Sequence, residues 1–167
     1  HTFPLVEEQA WNFWRVRHFP ELPRLLRLRS RRGGVWPDKN IRCSMRKTII
    51  AGNWKMYKNI TVAIELSNGL KRELFKLDFE STEVVLCPPF TALAEVAEIL
   101  SESDIGLGAQ DMHWQDEGAF TGEVSAGMLK DAGCQYVIIG HSERRQFFAE
   151  SNETVNKKVK AALKHEL

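Results

Sequence analysis

The chain holds 167 residues, 43% of them hydrophobic, with a formal net charge of +1, which suits one domain with a sizeable core. No apolar run approaches the roughly 20 residues that span a bilayer, and the first residues lack a basic segment followed by an apolar one, so neither a membrane anchor nor a secretory leader is expected. Cys43, Cys87 and Cys134 are an odd number without CxxC spacing, which argues against a disulfide framework or zinc site and for reduced thiols.

The small net charge hides an asymmetry. Residues 1–45 hold nine Lys/Arg against four Asp/Glu, a balance of +5, and residues 46–167 hold fourteen against eighteen, a balance of −4. The first part also carries three of the five Trp, four of the six Pro and a Gly33-Gly34 break, with no sustained period of 3.6 or 2. Leu22 to Leu28 fits a short basic amphipathic turn at most. Residues 1–44 read as a disordered or non-native extension, with Met45 a plausible start. The competing reading is a nucleic-acid or targeting arm, but basic charge alone is a weak footprint. Neither a nucleic acid nor a membrane is expected as a partner.

From residue 46 the chain alternates. Residues 46–52 form an apolar strand, and Val62, Leu66, Leu70 and Leu74 then recur every four residues as the apolar stripe of a helix. Val84-Val85-Leu86-Cys87 is a second strand, stopped by Pro88-Pro89, and the following helix carries Leu93, Val96, Ala97 and Leu100. Ile105 to Ala109 is a third, glycine-rich strand. A polar loop from Gln110 to Gly122 leads to a short helix near Val124–Lys130. Gln135–Ile139 is the fourth strand. A helix over about 152–165 follows, capped by Asn152, with Val155, Val159, Ala162 and Leu163 facing the core. Four β-α units with strands apolar on both faces predict a parallel sheet covered by helices.

Ligands of such folds gather at the carboxyl ends of the strands, and two strand ends here turn abruptly polar. The run ending at Gly52 meets Asn53, Trp54 and Lys55. The run ending at Gly140 meets His141, Ser142, Glu143 and two arginines. Backbone N–H groups at a helical turn after His141 disfavour a second proton on its imidazole. A neutral ring there suits donation to a substrate carbonyl or enediolate, while a plain structural histidine is the competing reading. Lys55 suits a phosphate or a developing oxyanion, against the commoner surface lysine. Glu143 is a natural partner for Lys55 if the two strand ends share one mouth. In the loop 111–123, Met112, Trp114 and Phe120 are oddly apolar for a mobile surface and suggest docking into a partner subunit. His113 with Asp111 and Asp116 follows no trusted ligand spacing, so no metal is expected.

Taken together, the segments Ala51-Gly52-Asn53-Trp54-Lys55-Met56, Gly118-Ala119-Phe120-Thr121-Gly122-Glu123 and Ile139-Gly140-His141-Ser142-Glu143-Arg144-Arg145 resemble the triosephosphate isomerase family, over residues 45–167. The resemblance implies a TIM-type α/β barrel, here its first four β-α units, in a cytoplasmic homodimer of glycolysis and gluconeogenesis. It implies interconversion of dihydroxyacetone phosphate and glyceraldehyde 3-phosphate through an enediol, without metal or cofactor. By the same resemblance Asn53 and Lys55 bind substrate, with Lys55 near the phosphate. His141 is the electrophile and proton shuttle, and Glu143 pairs with the site lysine, with Ser142 beside it. Thr121, Gly122 and Glu123 form the loop that enters the neighbouring subunit.

A full barrel takes about 250 residues, and the family's glutamate base, lid and later phosphate loops are expected beyond Leu167. The 167 residues alone are therefore expected to be inactive. The alternative is a catalytically dead binding protein that uses its basic arm.

Overall fold

A computed structural model describes residues 13–15, 48–76 and 82–167. Leu22–Leu28, Cys43, Met45 and, apart from the backbone of Phe13–Arg15, the whole segment 1–44 lie outside the described residues. The sheet runs in the order β1 (Phe13–Arg15), β2 (Thr48–Asn53), β3 (Thr82–Cys87), β4 (Ile105–Ala109) and β5 (Tyr136–Val137). β1 pairs antiparallel with β2, while β2 to β5 pair parallel in sequence order. The crossovers carry helices α1 (Ile60–Leu74), α2 (Leu93–Leu100, entered through a 3-10 turn at Phe90–Ala92) and α3 (Ala126–Asp131). After β5 come α4 (Ser142–Phe147) and α5 (Asn152–Lys164). Strand, helix and parallel strand in succession build half of a β/α barrel.

The register places Ile50 beside Val84 and Gly52 beside Leu86 on one face, with Ile105 and Leu107 continuing it on β4. That face packs on the helices. Leu86, Leu107 and Ala109 are buried with Leu93, Val96 and Leu100 of α2 and Leu129 of α3 in one cluster. The opposite, inner face is not the uniformly apolar surface expected from the strand composition. It carries Glu83 opposite Ile49, and the glycines Gly106 and Gly108 over which Tyr136 lies. The Tyr136 hydroxyl donates to Glu83 Oε2 at 2.9 Å, reaching across β4. A Cβ on Gly108 would sit 2.7 Å from Cys87 Sγ, so only glycine lets the tyrosine and the thiol approach from both sides.

Several boundaries differ from expectation for local reasons. In α1 the stripe runs through Ala63 and Ser67, both fully buried, with Leu66, Leu70 and Leu74 alongside, while Val62 is left exposed. Small residues at the contact line bring this helix close to the sheet. The fourth strand shortens to Tyr136–Val137, although Ile138 N–H still donates to Ala109 O at 2.9 Å.

Ser151, not Asn152, caps α5. Its hydroxyl accepts from Thr154 N, and the Thr154 hydroxyl accepts from Ser151 N, closing a reciprocal box. The core face of α5 holds Lys158, Ala161 and Ala162, whereas Val159 is 40% and Leu163 70% exposed. The helix is turned by Lys158, which is drawn inward to Asp111 Oδ1 at 2.6 Å and to Glu150 Oε1.

Candidate active site

Asn53 ends β2 with its side chain buried, and its Oδ1 accepts from Lys55 N at 2.9 Å. This local bond bends the chain as it leaves the strand. Lys55 itself has φ +54, in the left-handed region that non-glycine residues seldom occupy. The bend aims its ammonium across the mouth, where Nζ lies 2.8 Å from Glu143 Oε1. β2 and β5 are three strand spacings apart, about 14 Å along the sheet, so the pair requires both a curved sheet and two long side chains.

On β5 the turn is made by Gly140 at φ +71, a conformation open to glycine at little cost. His141 then caps α4, its Nδ1 accepting from Glu143 N at 3.2 Å. A ring nitrogen that accepts carries no proton, which leaves the single proton of a neutral imidazole on Nε2. Glu143 Oε2 is 3.6 Å from the same Nδ1. Ser142 is exposed at the start of α4.

Thr121, Gly122 and Glu123 lie exposed on the loop after β4, the strand that pairs with β5. The loop is folded on itself. His113 stacks on Trp114 at 4.1 Å and tilts against Phe120 at 4.4 Å, and its Nδ1 is 3.4 Å from Glu123 Oε2. His113 N donates to Val124 O at 2.8 Å and pins the loop base. Met112 is buried in the core and so is no part of any docking tip, whereas Phe120 is exposed. The two aspartates near His113 turn elsewhere. Asp116 takes Lys164 Nζ at 2.6 Å and His165 Nε2 at 2.8 Å. Asp111 takes Lys158 at 2.6 Å and Arg144 Nε at 2.8 Å. Burial pushes the Asp111 carboxyl above the usual carboxylate range, against the pull of Lys158 and Arg144.

One site neighbour escaped the sequence reading. Gln110, just past β4, donates from Nε2 to Lys55 O at 2.9 Å and to Cys87 O at 2.8 Å. The available signal was a polar residue following a buried glycine-rich strand, the same pattern that marks Asn53. Burial, helped by Cys134, pushes the Cys87 thiol up to about 12, which disfavours its thiolate.

An ammonium, a carboxamide and an imidazole thus gather where β2 and β5 open. They suit an anionic ligand with a hydrogen-bond-accepting oxygen. Parallel strands paired in sequence order, with covering helices and polar groups at the carboxyl ends, fit the β/α-barrel class. Among the described residues no helix is long and apolar enough to cross a membrane.

The family model for triosephosphate isomerase matches residues 48–167. A triosephosphate isomerase of Trichodesmium erythraeum is 62% identical over 123 residues, covering 74% of this chain and 51% of that protein. One of Alkaliphilus oremlandii is 57% identical, with 74% and 48% covered. The crystal structure of triosephosphate isomerase from Bartonella henselae superposes with a TM-score of 0.65 at 41% identity, over 71% of this chain and 48% of that one. The chain belongs to the triosephosphate isomerase family and spans about half the length of the curated relatives it matches.

Proposed function

We propose that the protein to which this chain belongs interconverts dihydroxyacetone phosphate and glyceraldehyde 3-phosphate through an enediolate, as a soluble cytoplasmic homodimer of glycolysis and gluconeogenesis needing no metal or cofactor. The observation that carries the reading is the Lys55–Glu143 pair at 2.8 Å, which ties the ends of β2 and β5 together beside His141 in a chain of this family. Lys55 and Asn53 hold the substrate, the ammonium meeting phosphate charge. His141 donates its Nε2 proton to the carbonyl oxygen as negative charge develops there, and relays it between the two oxygens of the enediolate. A donor already aimed at that oxygen lowers the barrier without reorganisation. Thr121 to Glu123 brace the partner subunit's site.

Proton abstraction from carbon needs a base. Glu143 is held against Lys55 at 2.8 Å, which aims its carboxylate elsewhere. Residues 1–167 alone are accordingly inactive, and the base belongs to the other half of the barrel.

The test is an isomerase assay of the full-length gene product, coupled to oxidation of a reduced nicotinamide, beside the 167-residue chain. Turnover is expected from the first and none from the second, and His141→Gln in the first lowers kcat by about 10²–10⁴-fold. A full-length product that binds triose phosphate without turning it over would replace this reading with that of a binding protein.

A further inference from the structure

The geometry points to Gln110 as a positioning residue for Lys55, an assignment that rests on the function proposed above. Lys55 sits at φ +54, a conformation its side chain disfavours, so something must hold it there. Its N–H is taken by Asn53 Oδ1 at 2.9 Å. Its carbonyl is taken by Gln110 Nε2 at 2.9 Å. The second proton of the same amide goes to Cys87 O at 2.8 Å, which also accepts Trp54 N at 3.1 Å. Both partners of Gln110 are carbonyl oxygens, which can only accept, so the orientation of the amide follows from the network.

One planar group therefore ties together the exits of β2, β3 and β4. A carboxamide is suited to the task. It offers two protons at a fixed angle, one for each carbonyl, whereas a hydroxyl offers one and a carboxylate none. Without it, the Lys55 carbonyl has no side-chain donor, and the peptide is free to relax towards negative φ. That rotation swings the root of the lysine side chain and withdraws Nζ from Glu143 and the bound phosphate. The lysine is thus clamped on both of its peptide groups by side chains from two strands, and the outer clamp touches no substrate.

The experiment compares wild type with Gln110→Met, an unbranched side chain of similar volume without donors, in the full-length protein. We expect kcat/KM to fall about 10- to 100-fold, mainly through a rise in KM, with weaker competitive inhibition by inorganic phosphate. Loss of folded protein alone would lower kcat and leave KM and phosphate inhibition unchanged, and that result would overturn the assignment. The crystal structure of the variant gives a readout independent of turnover. Lys55 leaves positive φ, and its Nζ moves out of ion-pair reach of Glu143. A Lys55 that keeps both its φ and its pairing would overturn the assignment even if the wild type proves inactive, in which case only the proposed function has failed. Gln110→Ala, which admits water to both carbonyls, supplies the same readouts should the methionine variant not fold.

Discussion

The two faces of the parallel sheet divide the work of the molecule. The outer face is dry and apolar, with Leu86, Leu107 and Ala109 locked against α2 and α3. The inner face mixes side chains of every kind, from Glu83 and Tyr136 low in the strands to Asn53 and Gln110 at their exits. Alternation along a strand sends successive side chains to opposite faces, so a single strand serves both purposes. Apolar burial is concentrated where side chains meet helices, and polar side chains where they meet the mouth.

The largest effect that could break this contrast is on the outer face. Leu107 is 2% exposed, and Leu107→Ala is expected to destabilise by about 2–5 kcal/mol through lost burial and a residual cavity. Denaturant titration measures it, and a loss below about 1 kcal/mol would mean that the outer core is not the main store of stability. An intermediate effect is expected on the inner face at Gly108→Ala. The added methyl meets Cys87 Sγ at 2.7 Å and Val85 Cγ1 at 3.1 Å, and overpacking of this kind costs about 1–3 kcal/mol. A neutral result in the same titration would show that the inner face yields where the outer one does not.

The smallest effect belongs to Tyr136→Phe, which removes the bond to Glu83 from a partly exposed position and costs about 0.5 kcal/mol. Its signature lies in pH. Burial, then the hydrogen bond and charge of Glu83, push the Tyr136 hydroxyl above its ordinary 10.0. The folded state therefore holds this proton more tightly than the unfolded chain does. The stabilisation is complete below pH 10 and lost as pH rises through the folded value. Stability of the wild type should fall more steeply than that of Tyr136→Phe above pH 10, and parallel curves would dismiss the Glu83 contact.

The same division explains what could be read from sequence. The strands at 48–53, 82–87 and 105–109 announce themselves as short apolar runs punctuated by glycine or proline, and Asn53, Lys55, His141 and Glu143 stand out as polar residues directly after such runs. The inner face was harder, because Gly106 and Gly108 look like weak strand residues until Tyr136 is seen lying over them. Gln110 is hidden from sequence for the same reason, since its two acceptors lie 55 and 23 residues away. On α5 a helical period chose Val159 and Leu163 for the core, whereas Lys158 is buried because Asp111, 47 residues earlier, receives it. Periodicity sees a residue's own helix and nothing of the carboxylate waiting opposite. Residues 1–44 carry a basic charge and a Trp- and Pro-rich composition but no sustained period from which an element could be read.

The ionic cluster under the mouth has an evolutionary corollary. Asp111, Arg144, Glu150 and Lys158 comprise two cations and two anions, three of them sealed from water. Altering Lys158 leaves the buried Asp111 and Glu150 with only the part-exposed Arg144 to answer them, at a penalty of about 3–5 kcal/mol, while an apolar set of matching volume can be tolerated. Descent by single steps therefore meets its highest barrier at Lys158, the one residue on which both buried carboxylates converge.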